Sequence, residues 1–554
     1  MRISPHATTR GGLKMRSMRA RTWALAAALC LSCRPADPRN PDTWIARLSD
    51  SDPRERVKAV QELRNLHAQK AAPQIAELLK DRFAREEAAT ALTDLGTKDE
   101  VPALLEAVDT TVGAGSDQAT RAAVRTNGRI AEALARIADP RAGPTLLRLS
   151  RTKDDYVRFQ AVQGLGRIRE KEAVPELSRI VDAETSPPIL VKKAVIALGE
   201  IGDPAAIPAL QHALVLERQG VSLLPEASYA LFLFGAQAVE PMIKIARDED
   251  SEYTVWARDT NRAPAGTYAK AALVLGDLGD PRAIPVLLDL LKYKDPDPNP
   301  GTSRLLTNLV RQFAARALGR LRASQAVAPL LALVQTKDPQ DADLVDSAAE
   351  ALVWIGDRSV ARELFKRAAS GNIRERVSAA EAGSLLGDGS LQSEPASLSD
   401  RAVREGPSSC QKQVQELAIE AERDRACEAI AAQFASFALP LETQKRCGTN
   451  AACWRDNLSS PSALLRARSA YELGRLEVAS AVPALVRAAT DPDLTARVAA
   501  IRALERLTGI PAAKADLKAA MEPLAGQLQA EQGRAQFLRV DEDLRRLQVR
   551  LARL

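Results

Sequence analysis

The sequence predicts an all-α protein: a right-handed α-α superhelix, or solenoid, of about twelve stacked helical hairpins and no β-sheet. Three observations lead to this fold class: a repeated stretch, a recurring proline and a helical spacing of apolar residues. The stretch LGEIGDPAAIPAL occupies residues 198–210, and nearly the same letters, LGDLGDPRAIPVL, occupy residues 275–287. Near-repetition of this kind is typical of proteins built from stacked structural units.

The recurring proline sets the period of the repeat. It marks the start of the second apolar run in each copy, at Pro73, Pro102, Pro144, Pro175, Pro208, Pro241, Pro285, Pro329 and Pro483. As far as Pro329, most gaps are 29–33 residues long and three are 42–44. This spacing indicates a repeat with occasional insertions.

Each repeat has the pattern of two helices joined by a turn. Val157, Ala161 and Leu165 have the spacing that places apolar side chains on one helix face. A glycine such as Gly202 can end the first helix, an aspartate can cap the next one, and Pro204 suits the first turn. Hydrophobic residues make up 46% of the chain but aromatic residues only 4%, which favours a thin core of small side chains. One hairpin cannot bury its apolar face alone, so the copies are expected to stack.

An arginine recurs at one position of the first helix. The members of this series are Arg56, Arg85, Arg158, Arg311, Arg376, Arg466 and Arg497. Spacing by repeat predicts a structural ladder in which each arginine reaches the preceding inter-repeat loop. A catalytic row of arginines is the alternative.

The pattern also divides the chain. We expect a signal peptide at 1–32, a linker at 33–51, repeats at 52–387, a polar linker with a cysteine-containing helical insertion at 388–460, further repeats at 461–509 and capping helices at 510–554. Leu544, Leu547, Leu551 and Leu554 form a narrow stripe near the end of the chain. This stripe predicts a helix that caps the solenoid, with a coiled-coil partner site as the alternative.

These residues resemble a known family, the short HEAT-like repeat of the phycobilin-lyase type, which pairs a Gly-Asp-Pro turn with an AIPAL-like second helix. The resemblance covers most of residues 52–509, apart from a break near 388–460. Such repeats occur in scaffolds, in bilin lyases and in deoxyhypusine hydroxylase. The hydroxylase needs His-Glu pairs for its di-iron site, and no histidine here precedes a glutamate. That function is therefore excluded.

The N-terminus has the layout of an export signal. Residues 1–22 carry six basic residues and no acidic one, and an apolar run of about ten residues follows, too short to span a bilayer. The run ends at Ser32-Cys33, which is similar to a bacterial lipoprotein cleavage box, with Cys30 where that box usually has leucine. The resemblance implies lipidation at Cys33, and Arg34 beside it implies the periplasmic side of the outer membrane. A soluble periplasmic protein, an uncleaved anchor and a later start codon (Met15 or Met18) are the alternatives.

The charge distribution argues against nucleic acid as a partner. The formal net charge is +6, but six of the 77 basic residues precede residue 33, which leaves 71 basic and 71 acidic residues. The remaining chain is formally neutral, so it has no net attraction to a phosphate backbone.

Four cysteines lie where the repeat pattern breaks: Cys410, Cys427, Cys447 and Cys453. In an exported chain they predict two disulfides, with zinc binding or free thiols as alternatives. If residues 411–437 form one helix, Cys410 and Cys427 lie about 25 Å apart and cannot bond. A local bridge between Cys447 and Cys453 is then favoured, with Cys427–Cys447 as the alternative.

The sequence shows no catalytic motif. It has neither HExxH nor GxSxG, no phosphate loop and no GxGxxG, and its three histidines lack metal-ligand spacing. We therefore expect no enzyme activity, no metal and no cofactor, and a scaffold that binds a protein partner. A lyase-like or enzyme-accessory protein and a structural spacer of the cell envelope are the alternatives.

Three insertions, at 109–124, 247–266 and 293–304, predict a partner-binding rim. All three fall between the second helix of one repeat and the first helix of the next, so they are expected on one edge of the solenoid. The candidate anchors are Tyr253, Trp256, Arg258 and Tyr293. Alternatively, these aromatic residues pack each loop onto its own repeat.

Overall fold

The computed structural model describes residues 37–109, 117–336, 341–422, 425–520 and 539–553. The chain divides into two compact units, residues 1–176 and residues 177–554. The predicted signal peptide and Cys33 lie outside the described residues. Among the residues that are described, no helix has the length and apolarity needed to cross a membrane.

The first unit consists of helical hairpins. Its helices are α1 (Pro41–Ile45), α2 (Pro53–Asn65), α3 (Ala72–Glu77), α4 (Arg85–Leu95), α5 (Val101–Glu106), α6 (Gln118–Ile137), α7 (Gly143–Leu149), α8 (Asp155–Arg167) and the start of α9 (Val174–Asp182).

The second unit continues the same arrangement. Its helices are α10 (Pro188–Ile201), α11 (Ile207–Val215), α12 (Leu224–Phe234), α13 (Ala236–Ala246), α14 (Ser251–Asp259), α15 (Pro264–Leu278), α16 (Ile284–Leu290), α17 (Pro300–Arg320), α18 (Val327–Val334), α19 (Ala342–Ile355), α20 (Ala361–Ala368), α21 (Ile373–Leu386), α22 (Ser393–Val403), α23 (Pro407–Glu416), α24 (Ala426–Ser436), α25 (Ala438–Cys447), α26 (Ala451–Asp456), α27 (Ala463–Arg475), α28 (Val482–Ala488), α29 (Leu494–Leu507), α30 (Lys514–Ala519) and α31 (Arg539–Ala552). The predicted all-α solenoid is confirmed.

The expectation of no sheet is wrong at one place. Strands β1 (Glu217–Arg218) and β2 (Val221–Ser222) pair antiparallel, with Glu217 opposite Ser222 and Arg218 opposite Val221. Gln219 and Gly220 between them both have positive φ, as a two-residue hairpin turn requires. The loop between α11 and α12 therefore forms a short β-hairpin, and both flanking helices are present.

The predicted turn chemistry is confirmed. Gly202 ends α10 in the left-handed conformation with φ of 69°. The Asp203 carboxylate then accepts a hydrogen bond from the Ala205 amide, and Pro204 starts a short 3-10 turn that leads into α11. Gly279 and Asp280 repeat this arrangement at the end of α15.

The first helices of successive hairpins form one layer of the second unit. In this layer α15 packs on α17, α17 on α19, α19 on α21, and α27 on α29. Small residues allow close contact, since Gly276 lies against Ala317 and Gly319 against Ala351. The C-terminal helix α31 touches members of the layer as distant in sequence as α12 and α29. The layer therefore curves around α31, and we call the surface that faces α31 the inner surface.

The arginine ladder is confirmed for most of its members. Arg56, Arg311, Arg466 and Arg497 donate hydrogen bonds to backbone carbonyls of the loop that precedes their helix. Arg376 donates to the carbonyl of Ala368, the last residue of the preceding helix. Two members differ. Arg85 donates to the carbonyl of Ala107, directly after α5, and Arg158 pairs with Asp155 on its own helix.

The segment predicted as a polar linker is helical instead. Residues 393–403 form α22, because Leu398 and Ala402 find apolar neighbours and are buried. The premise of one helix over 411–437 is also wrong. The chain turns between α23 and α24, so the Cα atoms of Cys410 and Cys427 lie 4.9 Å apart and the two residues form a disulfide.

The second pair of cysteines follows the local pairing that the sequence favours. Cys447 ends α25, Gly448 follows with positive φ, and Cys453 lies in the next helix. Their Cα atoms are 5.5 Å apart, and the structure has a disulfide between them. The alternative pairing of Cys427 with Cys447 is not the one in the structure.

Candidate functional site on the inner surface

The predicted rim around residues 247–266 is a helix, α14, and its aromatic residues differ in exposure. The Tyr253 side chain is only 6% exposed, and its hydroxyl lies 3.3 Å from the Thr267 hydroxyl. Burial raises the pKa of Tyr253 to about 12. The structure therefore corrects the prediction for Tyr253, because a buried ring has no free area to offer a partner.

The other three candidate residues are more accessible. Trp256 stacks on His212, with ring centroids 3.8 Å apart, and Arg258 is exposed. Tyr293 is half-buried, and its hydroxyl donates a hydrogen bond of 2.8 Å to Asp295. Insertion 109–124 belongs to the first unit, and its residues 110–116 lie outside the described part of the chain. Partner binding at Trp256, Arg258 and Tyr293 stays a prediction.

The inner surface carries features that the sequence did not single out. Helix α31 lies on it with two chemically different sides. On one side Leu544, Leu547 and Leu551 are buried in the apolar cluster of the last repeats, together with residues such as Leu504 and Leu517. These three leucines of the predicted stripe thus cover the last repeats, as a capping helix would, and the fourth, Leu554, lies outside the described residues.

The other side of α31 is charged and reaches helices far from the end of the array. Asp543 lies 2.5 Å from the Arg320 guanidinium on α17 and 2.6 Å from that of Arg502 on α29. Arg320 also pairs with Asp277, which is fully buried on α15. Burial lowers the pKa of Arg320, but the charges of Asp543 and Asp277 outweigh burial and raise it. The guanidinium therefore stays charged.

Two arginines of α31, Arg546 and Arg550, and Arg553 directly after it bind helices of the inner surface. Arg546 donates to the Ser228 hydroxyl over 3.0 Å. Arg550 donates to the Asp277 carbonyl over 2.6 Å, and Arg553 donates to the Leu233 carbonyl over 2.7 Å. These two carbonyls belong to the last turns of α15 and α12, where no amide of the same helix reaches them and the helix dipole is negative. The arginines act as C-terminal caps supplied by another helix.

A cavity of about 420 Å³ opens beside α31 on the same surface. Its lining includes Trp354, Tyr471, Leu494, Arg506 and, from α31 itself, Arg550. Its walls combine aromatic faces, aliphatic side chains and charges of both signs. The terminal helix therefore occupies only part of the inner surface.

Three carboxylates line one wall of the cavity. They are Asp346 and Glu350 on α19 and Glu381 on α21. Burial and the charges of Asp493, Glu350 and Asp346 raise the pKa of Glu381 to about 7. Burial also raises the pKa values of Asp346 and Glu350, although each lies near an arginine. Glu381 has no hydrogen-bond or ion-pair partner among the described residues, so this wall can accept a cation.

Another wall of the cavity is basic, with Arg322 and Arg506 in its lining. Burial, with the nearby charge of Arg506, lowers the pKa of Arg322. The Nε atom of Arg506 is buried and has no hydrogen-bond acceptor within the described residues. This wall can accept an anionic or carbonyl group.

The site has the chemistry of a binding surface. In the described part of the chain, no group of histidine, cysteine, aspartate or glutamate side chains could hold a metal ion. Sequence reasoning missed this surface because its residues come from helices 40 to 320 positions apart. One signal was present: Arg546, Arg550 and Arg553 have the spacing of one helix side, next to the leucine stripe.

Stacked helical hairpins, with one layer curved around a bound helix, define an α-solenoid repeat protein. The chain belongs to the HEAT repeat family. The family model described as HEAT repeats matches residues 41–125, 118–189, 148–222, 307–383 and 454–530, and the model described as PBS lyase HEAT-like repeat matches residues 268–293. No curated protein matches the chain.

Solved structures give more distant similarities. A crystal structure of importin beta is 14% identical, with a TM-score of 0.45, and the match covers 97% of this chain and 77% of that one. A Kap95:Nup1 complex is 13% identical, with a TM-score of 0.42, and the match covers 89% of this chain and 69% of that one. The complex of CpcE and CpcF of phycocyanin lyase from Nostoc sp. PCC7120 is 20% identical, with a TM-score of 0.23, and the match covers 56% of this chain and 94% of that one.

Proposed function

We propose that this HEAT-repeat protein is a non-enzymatic scaffold whose inner surface binds a segment of a protein partner. The observation that carries the proposal is the cavity of about 420 Å³ beside α31, with charges of both signs and the unpartnered Glu381. Polypeptide segments present cations, carbonyls and apolar side chains together, which matches these walls. Predicted partner contacts at Trp256, Arg258 and Tyr293 would extend the same scaffold role.

A second candidate function is supported by the same cavity. A deep pocket with a convergent acid is what a lyase-like or ligand-chaperoning accessory protein needs. Glu381, with its pKa raised to about 7, is such an acid. A small molecule bound there in purified protein, and lost in Glu381→Gln, would favour this function over the scaffold.

We further propose that the protein is exported and held at the membrane by lipid on Cys33. The basic stretch, the short apolar run and Ser32-Cys33 support this, as does the confinement of four cysteines to one segment. Mass spectrometry of the N-terminal peptide is the test. We expect a diacyl or triacyl group on Cys33, and an unmodified peptide that spans Ser32-Cys33 would contradict the anchor.

Site-specific photo-crosslinking tests the scaffold proposal. A photoreactive residue replaces Leu494, which is 51% exposed and lines the cavity, or Val255, which is 46% exposed on α14. Val403, 57% exposed on α22, is the control. We expect one protein, identified by mass spectrometry, to crosslink in cell envelopes at Leu494 and not at Val403. Crosslinks at Val255 alone would move the partner site to the rim.

A further inference from the structure

The inner surface already holds a helix, and that helix makes two kinds of contact. Its leucines fill an apolar seam at the last repeats, and its arginines cap the C-terminal ends of α12 and α15. These are the contacts by which a groove recognises an amphipathic helix from another protein. Helix α31 therefore has the position and the chemistry of a ligand.

The inner surface keeps its own charges paired when α31 leaves. Arg320 retains Asp277, and Arg502 retains Glu505, so no guanidinium is left buried without a carboxylate. The carbonyls that α31 caps lie at helix ends and would face water. Release of the helix therefore exposes an apolar seam but creates no orphaned buried charge, which makes the helix exchangeable.

We propose that α31 is a competitor in cis, which a partner's amphipathic helix of the same pattern replaces on the inner surface. The pattern begins with an acidic residue, as at Asp543. Counted from that residue, apolar side chains stand one, four and eight positions later, and arginines stand three, seven and ten positions later. This inference rests on the proposed scaffold function and names the partner's chemistry.

The adjoining cavity explains how a partner outcompetes a helix that is covalently present. Helix α31 contributes Arg550 to the cavity wall but leaves Glu381 without an ion-pair partner among the described residues. A partner helix with an additional lysine or arginine aimed at Glu381 gains an ion pair that α31 lacks. The nearby carboxylates Glu350 and Asp346, whose pKa values burial raises, would also be stabilised by that cation.

The test uses the full chain and a fluorescent synthetic peptide of residues 539–554. In Asp543→Lys the charge that pairs with Arg320 and Arg502 is reversed, so α31 should leave the inner surface. Asp259→Lys, at an exposed site on α14, is the matched control with the same charge change. We expect the peptide to bind Asp543→Lys at least about tenfold more tightly than the wild type or the control, because the cis helix no longer occupies the site.

A second, milder variant keeps the inference testable if Asp543→Lys does not fold. Arg553→Glu removes one contact at an exposed carbonyl and should give a smaller gain in peptide affinity. Amide hydrogen exchange of residues 539–553 reports the release of α31 independently. Equal peptide affinity in all chains, or no binding to a folded variant whose α31 exchanges freely, would overturn the inference.

The peptide-binding result and the crosslinking result can be distinguished, so each proposal can fail without the other. Peptide binding to Asp543→Lys without any partner crosslink at Leu494 would support the helix site and contradict the scaffold function. Equal partner crosslinking in the wild type and in Asp543→Lys would support the scaffold and contradict competition by α31.

Discussion

Single arginine side chains join backbone segments that would otherwise lack hydrogen-bond donors. Arg468 on α27 is fully buried and donates to the carbonyls of Ser384 and Gly387 at the end of α21. It also pairs with buried Glu472 over 2.6 Å. Because α21 and α27 stand on opposite sides of the cysteine segment in sequence, this one residue connects the two sections of the repeat array. Arg550 on α31 and Arg553 directly after it likewise donate hydrogen bonds to backbone carbonyls of other helices.

Replacement of Arg468 by methionine should therefore be severe. Arg468→Met leaves the carboxylate of Glu472 buried with less compensation, and loss of one partner from a buried pair typically costs about 3–5 kcal/mol. Urea unfolding measures this loss. Arg475→Met is the control and should cost less, because Glu472 then keeps its buried ion pair with Arg468. Equal losses for both variants would contradict the special position of Arg468.

Trp256 is predicted to stabilise its repeat through its stack on His212. Trp256→Ala should lower the free energy of unfolding by about 1–3 kcal/mol, because it removes a stacked and half-buried ring. Thermal melting measures the effect, with Val255→Ala on the same helix as the exposed control. Unchanged melting together with weaker partner capture would instead assign Trp256 to partner binding at the rim.

At the scale of elements, the cysteine segment is a side structure rather than a break in the array. Helix α21 contacts α27 directly, although residues 387–462 separate them in sequence. Helices α22 to α26 pack beside this contact. The disulfide Cys410–Cys427 links α23 to α24, and Cys447–Cys453 links α25 to α26. The segment is thus held by covalent bonds where the repeat pattern no longer dictates stacking.

The disulfides should be complete in protein taken from its own compartment. Alkylation before reduction should label none of the four cysteines. The double variant Cys410→Ala/Cys427→Ala should lose about 3 kcal/mol, since this bridge closes a loop with a sequence separation of 17, and Cys447→Ala/Cys453→Ala, with a separation of 6, should lose less. Labelling of any cysteine without reductant would count against the prediction.

At the scale of the second unit, curvature brings distant charges together and changes their protonation. The Glu381 carboxyl has a pKa of about 7, against an ordinary value of 4.5, because burial and three other carboxylates disfavour its charged form. A raised acid pKa means that the folded state binds a proton more tightly than the unfolded state. Stability is therefore greatest below about pH 4.5 with respect to this group and falls as pH rises towards 7.

Glu381→Gln should remove that dependence. Between pH 5 and pH 8 the wild type should lose up to about 3 kcal/mol more stability than the variant, as judged by urea unfolding at each pH. Glu428→Gln, at a site on α24 in the cysteine segment, is the control. A wild type and a Glu381 variant with parallel pH profiles would show that Glu381 is not held in the protonated form.

The local sequence determined the repeating hairpin, its glycine and aspartate turns, and most of the arginine ladder. These features depend on contacts within one repeat or between neighbours, and such contacts recur at a fixed spacing. The sequence also indicated that the four cysteines would pair. It did not determine which residues pair across α23 and α24, because the turn between these helices leaves no distinct pattern.

Only the tertiary structure decided the inner surface. Asp277, Arg320, Arg502 and Asp543 meet because successive small rotations between repeats add up to a curve, and no local motif records that sum. For the same reason the leucine stripe predicted a covering helix but not the contacts of its arginines, of which Arg550 caps a helix more than 270 positions earlier. Contacts between nearest repeats are encoded in each repeat, whereas contacts across the curve depend on all of the repeats between them.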